Sequence, residues 1–317
     1  MAASLLLLGY SNIAMRRVIP AVRAVAPGNA IDIASKSRRV ASVHAGHGVF
    51  FSDYDSALEM SSAETVYVSL PNALHYEVAK KALRSGRHVV VDKPACVTLR
   101  ETEELLDCAS RRNRLLAEAT VFNYHHQFGR IRTFLEKYGP LECVDAHFAI
   151  PPPPIDNFRN HKTWGGGCLL DMGPYAAALA RIFLNDEGLR VHALPGGRHP
   201  QTGIDIGFAV LAGVPRGPRL TCQFSFHGEY QNRLTLIAAR GSLVTERVFS
   251  LPADVEALWL LQANSNVSKI IVAKDDAFAT FLRAVFRAIA EGEHSNFAHD
   301  MLWDARFRER LSESIAA

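Results

Sequence analysis

Leu5-Leu-Leu-Leu-Gly-Tyr-Ser-Asn-Ile-Ala14 decides the fold. Four leucines that stop at a glycine are too short a run for a membrane span and read as a strand buried on both faces. The next residues form a degenerate Gly-x-Gly-x-x-Gly/Ala turn that opens a helix. Gly9 permits the tight turn, and Ala14 is small enough for close helix–strand packing. Ser11 stands where a second glycine usually lets the backbone approach a pyrophosphate. With Asn12 and Ile13 the turn presents unpaired N–H groups to such an anion. Taken alone, the motif equally suits an ordinary strand–turn–helix.

Working outward, strands are expected at 31–34, 65–69, 88–91 and 115–119, and helices at 12–25, 54–60, 75–85 and 98–112. Thr98 followed by Glu101 is a capping box. This alternation predicts a parallel, doubly wound α/β sheet, a Rossmann domain over residues 1–120. The pattern then changes. A strand at 144–150 leads through four prolines and a Gly165–Gly167 hinge to an apolar helix at 169–184. Six alternating segments lie at close spacing between 206 and 272, and two amphipathic helices (278–291 and 301–315) close the chain. Residues 121–317 therefore read as a second α/β domain with a large, predominantly antiparallel sheet.

The tip of the second strand sharpens the cofactor expectation. NAD-specific sites usually carry Asp or Glu there for the ribose hydroxyls. Here Asp32 lies inside the strand and the tip reads Ser35-Lys-Ser-Arg38. A hydroxyl followed by cations suits a ribose 2′-phosphate, so Ser35, Lys36 and Arg38 favour NADP(H) over NAD(H). The competing reading is a solvated basic loop.

Composition limits the alternatives. The 317 residues are 48% hydrophobic and 21% charged with a net charge of +3, which excludes disorder and gives no basic footprint for nucleic acid. Five cysteines, an odd number without Cys-x-x-Cys spacing, argue against a disulfide framework or zinc site and for a reducing cytoplasm. No histidine cluster has ligand spacing, so no metal is expected. No apolar stretch approaches membrane length.

Longer motifs carry a resemblance. They are Val66-Tyr-Val-Ser-Leu-Pro-Asn-Ala-Leu-His75, Gly86-Arg-His-Val-Val-Val-Asp-Lys-Pro94, Glu118-Ala119 with Tyr124-His125, and Gly165-Gly-Gly-Cys-Leu-Leu-Asp-Met-Gly-Pro-Tyr175. Together with Tyr230-Gln-Asn-Arg and Arg240-Gly-Ser, they resemble the glucose–fructose oxidoreductase/inositol dehydrogenase/MocA family over nearly the whole chain. The resemblance implies a nicotinamide-dependent oxidoreductase acting on a sugar carbonyl or hydroxyl, with substrate held between the two domains. It puts Ser69, Leu70, Pro71, Asn72 and His75 on the nicotinamide-ribose side, with Asp92, Lys93 and Pro94 beside them. It also implies a homodimer or homotetramer built through the outer face of the second sheet. Tyr175, where many members carry histidine, and the stretch from Phe148 to Arg159 are most similar to the nucleotide-sugar 3-ketoreductases. The alternatives are a free-sugar, polyol or dihydrodiol dehydrogenase, and a catalytically silent sensor of the same fold.

Reducing a ketone leaves an alkoxide that needs a proton from a group within hydrogen-bond reach. Lys93, partly desolvated beside a nicotinamide, is the leading donor. Tyr175 is the second, and Asp171, four residues earlier on the same helix face, would orient the sugar or Lys93. Each residue has a plainer role available. Tyr175 could simply pack, and Asp171 could cap or pair locally. Arg159 could meet a substrate diphosphate through its planar fork or form a salt bridge. Trp164 could stack on a sugar or belong to the core. Tyr124 and His125 are substrate-side candidates, the histidine a minor one.

Overall fold

In a computed structural model that describes residues 4–36, 47–184 and 187–316, the leucine run forms β1 (Leu5–Leu8), every side chain fully buried. It pairs in parallel with β2 (Ile31–Ala34) on one side and β4 (Thr65–Val68) on the other. β3 (His47–Phe51) continues beyond β2, and β5 (His88–Asp92) and then β6 (Leu116–Ala119) continue beyond β4. The order β3-β2-β1-β4-β5-β6 reverses between β1 and β4. A crevice therefore opens there beyond the carboxyl ends of the strands, where open α/β sheets bind ligands.

The sequence reading expects five strands, and the structure has six. The extra one, β3, sits at the edge and contains Gly48, which reads as a breaker. It forms because Val49 N–H donates to Asp32 Oδ1 at 2.8 Å, and a Cβ at position 48 would lie 2.0 Å from that same oxygen. Asp32, inside β2, is thus the clasp of the edge strand.

The helices of this half are a π-turn at Ala14–Val18 running into α1 (Ile19–Val25), then α2 (Tyr54–Met60), α3 (Asn72–Arg84) and α4 (Leu99–Arg111). The Thr98–Glu101 capping box is present in full.

At the amino end of β5, His88 Nδ1 accepts the Leu115 N–H at 2.9 Å, and its ring meets His294 edge-on at 5.6 Å. Burial, reinforced by the charge of Arg114, lowers the His88 pKa to about 4, and burial lowers that of His294 as well. The unfolded chain therefore takes up protons first on acidification. Stability is complete above the ordinary histidine range and is lost as pH falls from about 6.5 towards 4. Between pH 7.5 and 5 we expect a loss of about 2 kcal/mol through His88, read by urea unfolding. His88→Asn keeps an acceptor for Leu115 and should flatten that dependence.

The chain divides into two compact units, Met1–Thr120 with Phe278–Ala305, and Val121–Ala277 with Arg306–Ala317. The sequence reading keeps all of 121–317 together. Instead α7 (Ala277–Glu291) and the first part of α8 (Ser295–Ala316) return to the first unit. There the Arg17 guanidinium sits 5.3 Å above the Phe278 ring, and Met301 joins the core formed with Leu105 and Val91.

The second unit holds an eight-stranded sheet. Its strands are β7 (Leu141–Ala149), β8 (Arg190–Pro195), β9 (Gly207–Gly213), β10 (Arg219–Ser225), β11 (Gln231–Ala238), β12 (Gly241–Glu246), β13 (Ala257–Ala263) and β14 (Asn266–Val272). Their order is β14-β13-β12-β11-β7-β10-β9-β8, antiparallel throughout except between β7 and β10. β8 escapes the sequence reading because it is an exposed edge ending in proline. α5 (Gln127–Tyr138) escapes it because Gly129 interrupts a short apolar face made by Ile131 and Phe134. α6 (Cys168–Phe183) packs its Ala176–Ala180 run against β9 and β10. On the other face the register places Leu258 opposite Ile271 and Val244 opposite Leu260. With Leu194, Leu211 and Val267, Leu258, Leu260 and Ile271 leave exposed apolar side chains on the outer strands of that face, while Asp145, His147, Arg233 and Thr235 make its centre polar.

Candidate active site

The first unit presents a built turn at the crevice. Gly9 has φ +97°, and a Cβ there would lie 2.1 Å from the Ser69 carbonyl oxygen, so only glycine fits. Ser11 Oγ accepts the Ala14 N–H at 3.0 Å, and Ala14 is fully buried against the sheet. Asn12 and Ile13 are exposed on the first turn of the helix. A close backbone approach, a helix amino terminus and exposed first-turn residues together fit a dinucleotide pyrophosphate.

At the tip of β2, Ser35 is buried and Lys36 is exposed. The Lys36 ammonium lies 3.2 Å from Asp53 Oδ1 and 5.0 Å from the centre of the Tyr54 ring. Asp53 Oδ2 caps α2 through the Asp55 and Ser56 N–H groups. Those caps, with Lys36, hold its carboxyl down to about 2. An ion pair this exposed contributes little, so Lys36 can exchange its carboxylate for a phosphate dianion. Arg38 lies outside the described residues.

Beyond β4, Leu70 and Pro71 are half-buried, while Ser69 and Asn72 are buried. The resemblance puts His75 on the nicotinamide side. Its ring is wholly buried and bridges the Pro94 carbonyl (2.8 Å from Nδ1) and the Leu70 carbonyl (2.7 Å from Nε2). In the structure it braces the Pro94 and Leu70 loops against each other. At the carboxyl end of β5, the fifth strand rather than the fourth, Asp92 and Lys93 are half-buried and Pro94 is buried. The Ala95 N–H donates to Glu118 Oε2 at 2.8 Å.

In the second unit, α6 starts at Gly167, whose φ of +119° and contact with Asp205 exclude a side chain. Asp205 holds the first turn: its backbone carbonyl accepts the Cys168 N–H at 3.0 Å and its Oδ2 accepts the Leu169 N–H at 2.6 Å. Sequence reading misses this residue because it acts on a helix 36 positions away. Asp171 lies further along that helix, 6% exposed.

The Arg159 fork lies on Asp171, with Nε donating to Oδ2 at 2.9 Å and Nη2 to Oδ1 at 3.4 Å. The Asp171 charge raises the Arg159 pKa against the opposing effect of burial. The guanidinium is therefore engaged by a buried carboxylate while its own side chain stays partly exposed. The Tyr175 ring sits among Phe122, Phe148 and Phe249, with centroids 5.1 to 5.6 Å away. Trp164 is 54% exposed and contributes nothing to the core.

Tyr124 is half-buried in a 3-10 turn. His125 is buried, its pKa lowered by burial, and its Nδ1 accepts the Gln127 N–H at 3.2 Å. His125, His126 and Asp275 bring ligand atoms within 4.8 Å of one another. Asp275 Oδ2 accepts the His126 N–H at 2.7 Å, and among the described residues the buried His125 Nε2 has no hydrogen-bond partner.

Known proteins are similar to this chain in sequence and fold. The family described as the oxidoreductase family with NAD-binding Rossmann fold (GFO/IDH/MocA) matches residues 5–120, and the GFO/IDH/MocA C-terminal domain matches residues 132–244. The chain is 33% identical over 291 residues to a dTDP-3,4-didehydro-2,6-dideoxy-alpha-D-glucose 3-reductase of Streptomyces violaceoruber, covering 88% of this chain and 84% of that one. It is 31% identical to the enzyme of the same description from Saccharopolyspora spinosa, covering 90% and 87%. A crystal structure of a 3-ketoreductase from Actinomadura kijaniata in complex with NADP and TDP-benzene superposes with a TM-score of 0.92. It shares 28% identity and covers 99% of this chain and 98% of that one.

Proposed function

This chain belongs to the GFO/IDH/MocA oxidoreductase family, and from that premise we propose that it is an NADP(H)-dependent reductase of a 3-keto sugar carried on a nucleoside diphosphate. The carrying observation is its likeness, over nearly the full length of both chains, to dTDP-sugar 3-reductases and to a 3-ketoreductase crystallised with NADP.

When bound, the reduced nicotinamide supplies hydride to the carbonyl carbon. The residues of this chain do the rest. Gly9 and the adjoining helix terminus seat the pyrophosphate, and Lys36 with Ser35 receives the 2′-phosphate. Lys93 donates a proton to the carbonyl oxygen as negative charge develops there, with the Tyr175 hydroxyl as the alternative donor. Asp171, clamped by Arg159, keeps the first turns of α6 in one orientation beneath Tyr175.

The test is spectrophotometric. NADPH oxidation is expected with dTDP-3,4-didehydro-2,6-dideoxyglucose and not with free xylose, inositol or a dihydrodiol. NADPH binding without turnover of any of these would instead identify a sensor. Lys36→Ala should weaken NADPH binding about tenfold, the worth of one charge-assisted phosphate contact, and leave NADH binding unchanged.

A second copy of the chain is the proposed partner, paired through the open face of the eight-stranded sheet, where Leu258, Leu260, Val267 and Ile271 are exposed. Light scattering should give a dimer or tetramer that Leu260→Asp with Ile271→Asp dissociates. Among the described residues no helix is long and apolar enough to cross a membrane. The five free cysteines agree with a reducing cytoplasm.

A further inference from the structure

We infer that Ser11, Ser69, Asp92 and Tyr67 form a single hydrogen-bonded chain that ties the dinucleotide turn to the residue preceding Lys93, making Ser11 and Tyr67 positioning residues for that lysine. The inference rests on the proposed role of Lys93 as proton donor.

The distances fix the direction of every bond. Ser69 Oγ lies 2.5 Å from Asp92 Oδ2, and a carboxylate only accepts, so Ser69 donates. A hydroxyl carries one proton. Having given it to Asp92, Ser69 must accept from Ser11, whose Oγ lies 2.7 Å away. Ser11 then donates forward and accepts the Ala14 N–H behind it at 3.0 Å. From the other side the Tyr67 hydroxyl donates to Asp92 Oδ1 at 2.7 Å. All the side-chain protons thus point at one carboxylate, and each of its oxygens meets a donor fixed on β4 or its tip.

Burial keeps the donors in place. Tyr67 is fully buried and Ser69 is 2% exposed. Burial, and then the Asp92 charge, pushes the Tyr67 hydroxyl well above its ordinary range, so it remains a donor. The segment beyond Lys93 is pinned as well, by His75 on the Pro94 carbonyl and Glu118 on the Ala95 N–H. Lys93 therefore sits between two fixed neighbours, and its side chain departs from a backbone with little freedom to turn.

The position of Ser11 gives the hydrogen-bonded chain its consequence. β1 and β4 flank the crevice where the strand order reverses. The Ser11–Ser69 contact stitches the two lips of that crevice together across 58 residues of sequence. A glycine at position 11 would let backbone approach a pyrophosphate but could make no such stitch. The same turn that receives the cofactor thus also holds the strand that aims Lys93.

Two readouts test this on the full-length protein with NADPH bound. One is turnover. The other is competitive acetylation of Lys93 with acetic anhydride, read by mass spectrometry, with Lys137 as internal reference. Tyr67→Phe and Ser11→Ala should each lower kcat five- to twentyfold. Tyr67→Phe should leave NADPH affinity within twofold. Both should change Lys93 labelling at least threefold and leave Lys137 unchanged. In a Ser69→Ala background, adding Ser11→Ala should change kcat less than twofold, and Ser69→Thr should restore most of the loss. Multiplicative effects of Ser11→Ala and Ser69→Ala, or equal Lys93 labelling in the wild type, Tyr67→Phe and Ser69→Ala, would overturn the inference. A wild type that turns over no keto sugar would defeat the proton-donor reading instead, and the labelling rates would still decide whether these four residues govern Lys93.

Discussion

Lys93→Ala is expected to lower the turnover of NADPH with a keto sugar by about a thousandfold, within the range for loss of a general acid, while NADPH affinity stays within about twofold. Hydride forms the new C–H bond with its own electron pair and displaces the carbonyl π pair onto oxygen, and without a proton at that atom the reaction stalls as an alkoxide. Lys93 leaves the carboxyl end of β5 between Asp92 and Pro94, both held by residues from other elements. The proposed pyrophosphate seat at Gly9 and the proposed 2′-phosphate seat at Lys36 are made by other residues, so cofactor affinity should survive. Lys93→Arg should be equally inactive, because a guanidinium keeps its proton at any accessible pH. Steady-state NADPH oxidation and reduced-nicotinamide fluorescence measure the two quantities separately. If Lys93→Ala kept more than a tenth of the activity, the proton would have to come from elsewhere, and Tyr175→Phe would become the decisive variant.

Gly9→Ala is expected to destabilise the first unit by about 3 kcal/mol or more and to abolish NADPH binding. A methyl group at this position would meet the Ser69 carbonyl oxygen at 2.1 Å, which is backbone and cannot rotate away. Relief requires β1 and β4 to part, which strains the Gly9 N–H bond to Ala34 (2.9 Å) and the Ser69 N–H bond to Leu8 (2.8 Å). The positive φ adds the usual cost of a left-handed alanine. Thermal unfolding and nicotinamide fluorescence give the result. Gly28→Ala is the control: its φ is +86° but nothing lies within 4 Å of the added carbon, so only about 1 kcal/mol of conformational strain should appear. Equal effects of the two substitutions would show that close approach at Gly9 does not matter.

Much of the first unit was readable along the chain because its signals are local. A run of leucines ending in glycine, a capping box and short β-branched runs each report a conformation within a few residues. β3 was not readable, since its pairing depends on a carboxylate in the neighbouring strand reaching past a glycine. The same distinction runs through the candidate site. Gly9, Lys93, Asp171 and Tyr175 stand out by motif. The residues that hold the segments around them, Ser69, Glu118 and Asp205, carry no signal that says what they will touch, and His75, which does carry one, braces backbone.

The amino-acid sequence by itself determined the alternation of strands and helices, the parallel character of the first sheet and the residue types offered to a cofactor. Each of these comes from periodicity and backbone preference over a short span. Tertiary structure alone decided which offered groups were already taken: Arg159 by Asp171, Lys36 by Asp53, and Ser11 through Ser69 by Asp92. A hydrogen bond or ion pair is made with whatever the packing of strands and helices brings within about 3 Å, and that neighbour is set by the order of the sheet rather than by the order of the chain.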